Sequence, residues 1–324
     1  MNRLMAIAVA CLGLTGAAFA AAPAEDVVQG LYEGAVKAAA GDQKFEARVV
    51  ACGKGAFKAF IRQPAADGKV TKIELDGKIE GDAAKFTGKA GDAEWAATYA
   101  DGSIKGTAGS GTVEMKKVVR ESPTMGAKPP AGAVILLGDK NLDGMVKKAG
   151  KDGKEPEWKV LDDGGVLIAK GGLTSKQQFE GNFKLHVEFK NPFMPDGRSQ
   201  GRGNSGVFLP NGSEIQVLDS FGMTTYTGGG CGGLYKYKDP DAFDEFSLAS
   251  TPPLQWQTYD VEYRVPMKDG KPDSKPRVTV FHNGIKIHDN AELSNAAKKG
   301  GISLQDHGCP VQYRNIWLLP LGDK

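Results

Sequence analysis

Glu214 and Gln216 alternate with Ile215 and Val217 in the run SEIQVLDSF, residues 213–221. Side chains of an extended strand point alternately to opposite faces, so the carboxylate and the amide would stand side by side while the two β-branched residues face a core. Such a pair can exchange a proton beside a hydrogen-bonding group. On a solvent-facing sheet it would be ordinary polar patterning, and the neighbouring runs tip the balance. In GRGNSGVFLP, residues 201–210, Arg202 and Asn204 share a face ahead of the apolar Val207 and Phe208. The glycines at 201, 203 and 206 would let a ring approach the backbone closely. Arg, Asn, Gln and Glu together suit vicinal hydroxyls; the plainer alternative is a Gly-rich strand entry with an Arg202–Glu214 ion pair.

A third run, GISLQDHG at 301–308, turns Leu304 inward and Gln305 and His307 outward, with Asp306 beside the histidine. An imidazole with an ordinary pKa of about 6.5 serves as acid or base near neutrality. The other three histidines, His186, His282 and His288, sit in unremarkable strand or turn contexts and are given no role. Of the aromatics, Trp256, Tyr259, Tyr313 and Trp317 could stack on ring faces, although Trp317 lies in an apolar run and reads as core. Tyr235, in the Gly-flanked GCGGLYK, reads equally as a stacking platform or a packing residue.

These residues need a scaffold of strands. From Val134 onward, runs such as FKLHVEFK, WQTYDVEYRV, RVTVFHNGIKI and QYRNIWLLP show period-two alternation without long helical periodicity. That pattern predicts two antiparallel sheets packed face to face, a jelly-roll β-sandwich. The Gly-, Asp- and Pro-rich stretch 222–251 predicts a long surface loop of functional type. Upstream, short alternating runs between Phe45 and Val118 predict a small antiparallel β domain, with hairpin turns at Asp76-Gly77 and Asp101-Gly102. A weakly amphipathic stretch from Glu25 to Ala39 predicts a short helix. The Pro- and Ala-rich segment 120–133 reads as an interdomain linker. The chain is therefore expected to be all-β and divided into residues 1–22, 23–119, 120–133 and 134–324.

Composition bounds the partners. With 41 basic and 39 acidic residues the formal charge is +2, which gives no electrostatic footprint for nucleic acid or an anionic membrane surface. Asn2 and Arg3, the apolar run Leu4 to Ala18 and the small-x-small Ala18-Phe19-Ala20 read as a removed signal peptide, too short to span a bilayer, so export to the periplasm or outside the cell is expected. Cys52, Cys231 and Cys309 then remain, which permits one disulfide and a free thiol or three thiols; their spacing matches no zinc signature.

The ordered series GRGNSGVFL, SEIQVLDSFG, GCGGLYK, PPLQWQTYDVEY, VFHNGIKIHDN and LQDHGCPVQYRNIWLLP resembles the 3-keto-disaccharide hydrolase family over roughly Val134 to Pro320. The resemblance implies a concanavalin A-like jelly roll that acts on glycosides oxidised at carbon 3. It implies His307 and Glu214 as the base/acid pair, Arg202, Asn204, Gln216, Tyr235 and Gln305 as substrate-binding residues, and Asp306 as a substrate-binding residue that orients His307. It also favours a Cys231–Cys309 disulfide, because both cysteines adjoin matched motifs. Met145, where the family commonly has Trp, and the segment 245–250 depart from the pattern at a loop near the site. The sequence specifies no cofactor, and a divalent cation is an open alternative: Asp219, Asp306 and Glu214 could hold a hard cation, or be hydrogen-bonded to Arg202 and Arg314 instead. Two other readings compete: a non-catalytic carbohydrate-binding module on the same fold, and a conventional retaining glycosidase, which lacks support because no Glu-x-Asp-x-x-Glu run is present.

Overall fold

The computed structural model describes residues 22–322 apart from 40, 65–68, 139, 148–158, 168–170, 224, 242–248 and 270. The expected signal peptide lies almost wholly outside the described residues. The helix expected over Glu25 to Ala39 is only one turn, Glu25–Val28, and the rest of that stretch is strand. Its eight residues, β1 (Gly30–Lys37), open a meander through β2 (Gln43–Gly53), β3 (Ala56–Pro64), β4 (Val70–Glu80), β5 (Ala83–Ala90), β6 (Ala93–Ala100), β7 (Ser103–Ala108) and β8 (Gly111–Val118). β1 pairs with both β2 and β8, so the sheet closes into a barrel. Closure overrides the weak helical pattern, because β1 covers the two edges the meander would otherwise expose.

Tyr32, Phe45, Val49, Phe57, Ile61, Leu75, Phe86 and Trp95 fill the barrel interior. Burying side chains of this size contributes roughly 1.5–3 kcal/mol each. Asp101-Gly102 forms a hairpin turn as expected, with φ of 49° and 75°. Asp76-Gly77 does not: both residues lie inside β4, and the chain turns after Glu80 instead. Gly77 faces inward, where an added Cβ would sit 2.5 Å from the Phe86 ring and 2.9 Å from Phe57 Cβ, so this glycine provides room and no bend.

Downstream come β9 (Val134–Leu137), β10 (Met145–Lys147), β11 (Lys159–Val160), β12 (Val166–Leu167), β13 (Leu173–Ser175), β14 (Phe183–Lys190), β15 (Ser205–Phe208) and β16 (Glu214–Val217). They are followed by β17 (Trp256–Arg264), β18 (Met267–Lys268), β19 (Lys271–Pro272), β20 (Arg277–His282), β21 (Ile285–Glu292), β22 (Ser303–Leu304) and β23 (Gln312–Pro320). One sheet has the order β10-β13-β22-β15-β16; a larger one runs β11-β12-β23-β14-β17-β20-β21, with β9 also on β23. Val207, Ile215, Val217 and Leu304 of the smaller sheet share one apolar cluster with Leu185, Phe189, Val261 and Leu318 of the larger, so the two sheets bury a common core. The described residues are all-β apart from single helical turns.

The segment 120–133 is fastened to the larger sheet through residues 122–127. Ser122 and Thr124 hydrogen-bond Thr258, Thr124 donates to Asp260, and Gly126 N donates to Glu188. Trp317 Nε1 and Asn315 Nδ2 donate to the Ala127 carbonyl. This strap covers a buried cluster in which His186 lies 2.6 Å from Asp260 and 3.4 Å from Glu188. Burial lowers the His186 pKa, but its two carboxylate partners outweigh that and hold it above the ordinary value.

Candidate active site

β15 and β16 pair so that Phe208 lies opposite Glu214 and Gly206 opposite Gln216. Ile215 and Val217 point into the core, as the alternation predicted, which turns Glu214 and Gln216 to the outer face of the smaller sheet. The missing side chain at Gly206 is what admits the carboxylate: an added Cβ would lie 2.0 Å from Glu214 Oε1. Gln305 continues this face from β22, its N–H donating to the Gly206 carbonyl while Ser205 Oγ donates back to its own carbonyl at 2.6 Å. Tyr235 joins from the following loop, where its N–H donates to the Glu214 carbonyl.

Glu214 is 8% exposed, and among the described residues no cationic side chain pairs with it. Burial pushes its carboxyl up to about 7. With the Gln216 amide turned so that its nitrogen faces the carboxylate, Nε2 donates to Glu214 Oε1 at 3.1 Å and to the Ser205 carbonyl at 2.9 Å, leaving its oxygen 2.8 Å from Gln200. Asn204 Nδ2 donates to the Gln200 carbonyl at 2.9 Å. A buried row of amides thus runs from Asn204 through Gln200 and Gln216 to Glu214. Beside it the Tyr226 and Tyr235 hydroxyls are 2.9 Å apart, and desolvation, Tyr235 and the nearby Glu214 push the Tyr226 phenol up to about 12. A groove of about 620 Å³ extends along the same face past Phe208, Ser303, Gln305 and Thr174. Gln305 Oε1 is buried there without a hydrogen-bond donor, an acceptor suited to a hydroxyl of a bound molecule.

The structure therefore gathers Glu214, Gln216, Asn204, Gln305 and Tyr235 on one surface. His307 is exposed on the turn two residues beyond Gln305 and makes no hydrogen bond or ion pair among the described residues. Asp306 does not orient His307; its carboxylate accepts from Gly171 N at 2.6 Å and Gly308 N at 2.9 Å, which shapes the turn. Arg202 lies behind the site. It is 1% exposed, Nε donates to Asp219 at 2.7 Å, and its remaining nitrogens donate to the carbonyls of Ala51, Met194 and Pro195 and to Gln29 Oε1. The Arg202–Glu214 ion pair considered from the sequence is therefore not formed, and the guanidinium has no nitrogen to offer a substrate.

Cys231 and Cys309 are buried free thiols, which corrects the expected disulfide; Cys231 Sγ lies 3.0 Å from the Tyr259 hydroxyl. Among the described residues no three His, Cys, Asp or Glu side chains converge as a cation site, and Asp219 is tied to Arg202. Gln200 and Tyr226 are the site residues that sequence reasoning missed. Gln200 sits in a single 3₁₀ turn with no periodicity to mark it, whereas Tyr226 falls within the loop already singled out by its length.

Residues 132–319 match the model of the 3-keto-alpha-glucoside-1,2-lyase-like domain. The chain belongs to that family. Every candidate residue from Arg202 to His307 lies inside the matched span. A Parabacteroides distasonis protein assigned as a glycosyl hydrolase is similar in structure: 32% identity, a TM-score of 0.51, and coverage of 59% of this chain and 85% of that one. No curated protein matches this chain. Family and neighbour together mark a carbohydrate-active, glycoside hydrolase-like enzyme whose substrate class is a sugar.

Proposed function

We propose that this protein cleaves the glycosidic bond of 3-keto-glycosides or 3-keto-disaccharides, beginning with proton abstraction by Glu214. The carrying observation is a buried carboxylate without a cationic partner among the described residues, its pKa pushed by burial up to about 7, where a group can serve as base or acid. A ketone at carbon 3 acidifies the hydrogen on carbon 2. Glu214 takes that proton, the electron pair forms the enolate and then the carbon 1–carbon 2 double bond, and the glycosidic oxygen leaves carbon 1 with a proton from an acid. Addition of water to that double bond completes a net hydrolysis. His307, exposed on the adjacent turn, is the donor to the leaving group in this scheme. Asn204 and Gln305 bind hydroxyl and keto oxygens, the Gln216 amide holds the Glu214 carboxylate, and Tyr235 with Tyr226 flanks the ring.

The two sheets around one core support a concanavalin A-like jelly roll for residues 134–324, and the N-terminal sequence supports export. The test is incubation with a 3-keto-glucoside and, separately, its unoxidised parent. Cleavage of the keto compound, lost in Glu214→Gln, is the expected result. Turnover of the parent alone would sink the mechanism, and saturable binding without turnover of either would favour a binding module.

A further inference from the structure

The outer wall of the barrel along β1–β3 is buried although its side chains point away from the barrel interior. Leu31, Val50 and Phe60 project outward and pack against Phe221, a loop residue of the downstream domain that follows Asp219 by two positions. The Arg48 guanidinium lies 4.8 Å from the Phe221 ring centroid and donates to the Ser250 carbonyl at 2.8 Å. Gln29 Oε1 and the Ala51 carbonyl accept from Arg202, and the Cys52 carbonyl accepts from Arg198. Arg198 and Arg202 bracket Gln200; Asn204 follows two residues later.

We infer that the N-terminal barrel is a positioning module for the active site, acting through Phe221 and Arg202 on the amide row that holds Glu214. This inference rests on the catalytic reading above, though its structural half can be read without substrate. The connection is continuous. The barrel fixes Arg202, and Arg202 is tied to Asp219 both by Nε and by its own carbonyl, which accepts from Asp219 N at 3.1 Å. That double link closes the open end of the β15–β16 pair and fixes the 198–204 turn. The turn sets Gln200, whose side chain lies 2.8 Å from the Gln216 amide oxygen, and Gln216 in that orientation donates to the Glu214 carboxylate. Among the described residues no barrel side chain enters the site, so the barrel contributes geometry and dryness, not a reacting group. Errors of about 1 Å in such a frame cost up to roughly 10²-fold in rate.

The experiment uses full-length protein and three substitutions away from the reacting groups: Phe221→Ala, its conservative counterpart Phe221→Leu, and Gln29→Leu on the barrel side. Amide hydrogen exchange is followed in residues 198–204 and 219–226, with the β4–β7 amides as internal reference. Phe221→Ala and Gln29→Leu should speed exchange in both segments about tenfold or more while leaving β4–β7 unchanged, and Phe221→Leu should restore most of the protection. On a 3-keto-glucoside the first two variants should lose roughly tenfold in kcat with KM within about twofold, and the acidic limb of the pH profile should move toward lower pH as water reaches Glu214. Unchanged exchange in both segments, or wild-type kcat and pH profile despite faster exchange, overturns the inference. If wild-type protein cleaves no 3-keto-glycoside, the catalytic reading fails alone and exchange decides the positioning. If Phe221→Ala does not fold, Gln29→Leu carries the same test.

Discussion

Glu214→Gln separates a functional carboxylate from a structural one, because the two roles predict opposite signs for stability. The carboxyl is raised from 4.5 to about 7 in the folded protein by burial. Between those values the folded state binds the proton that the unfolded chain has released, so folding stability falls as pH rises from about 4.5 through 7 and then levels off. At 1.36 kcal/mol per pK unit the full cost above pH 7 is on the order of 3 kcal/mol. The site is 8% exposed, so solvent screening removes little of it. Glutamine keeps the shape and the acceptor that faces Gln216 while removing the charge. The variant should therefore match wild type at pH 4.5 and exceed it by about 3 kcal/mol at pH 8, with activity on a 3-keto-glucoside gone. The assay is urea unfolding of both proteins at the two pH values, read as the difference of differences, so that other titrating groups cancel. An equal stability gap at pH 4.5 and 8 would refute the argument, since it would mean that Glu214 carries no burial penalty.

Other substitutions reach different parts of the molecule. Asp219→Ala leaves the Arg202 guanidinium buried without its carboxylate and should destabilise by roughly 3–5 kcal/mol in denaturant unfolding. Gly77→Ala forces a methyl against Phe86 and Phe57 and should cost roughly 1–3 kcal/mol in the barrel transition, whereas a neutral result would mean the barrel yields there. His186 gains two carboxylate partners and a raised pKa, so its stabilisation is fully present below the unfolded value of about 6.5 and is lost as pH rises through the folded value. His186→Gln should abolish that contribution, and unfolding curves at pH 6 and pH 9 will show whether it does. The Cys231 thiol, pushed up to about 11 by burial, should resist iodoacetamide at pH 8 in the native state, and Cys52, Cys231 and Cys309 should each alkylate after denaturation without reductant.

Period-two alternation in SEIQVLDSF and LQDHG was enough to place Glu214, Gln216 and Gln305 on a non-core face, because side-chain direction in a strand is a local property. The all-β character and the Asp101-Gly102 turn were legible for the same reason. Motif order carried the family. What the local pattern could not supply was partnership. Arg202 looks like an anion or hydroxyl ligand in GRGNSG, yet it is captured by Asp219 and by the barrel carbonyl of Ala51, 151 positions upstream. Cys231 and Cys309 looked like a pair because both adjoin site motifs, and adjacency to a motif does not bring two sulfurs together. Asp76-Gly77 has the composition of a turn and the location of a gap in a barrel interior. Even Glu214 draws its chemistry from tertiary structure: the sequence gives a carboxylate, and only burial over Gly206 away from any cation moves its pKa to neutrality. Alternation along a strand depends on the chain alone, whereas desolvation, ion pairing and closure of a sheet depend on residues that folding brings from elsewhere.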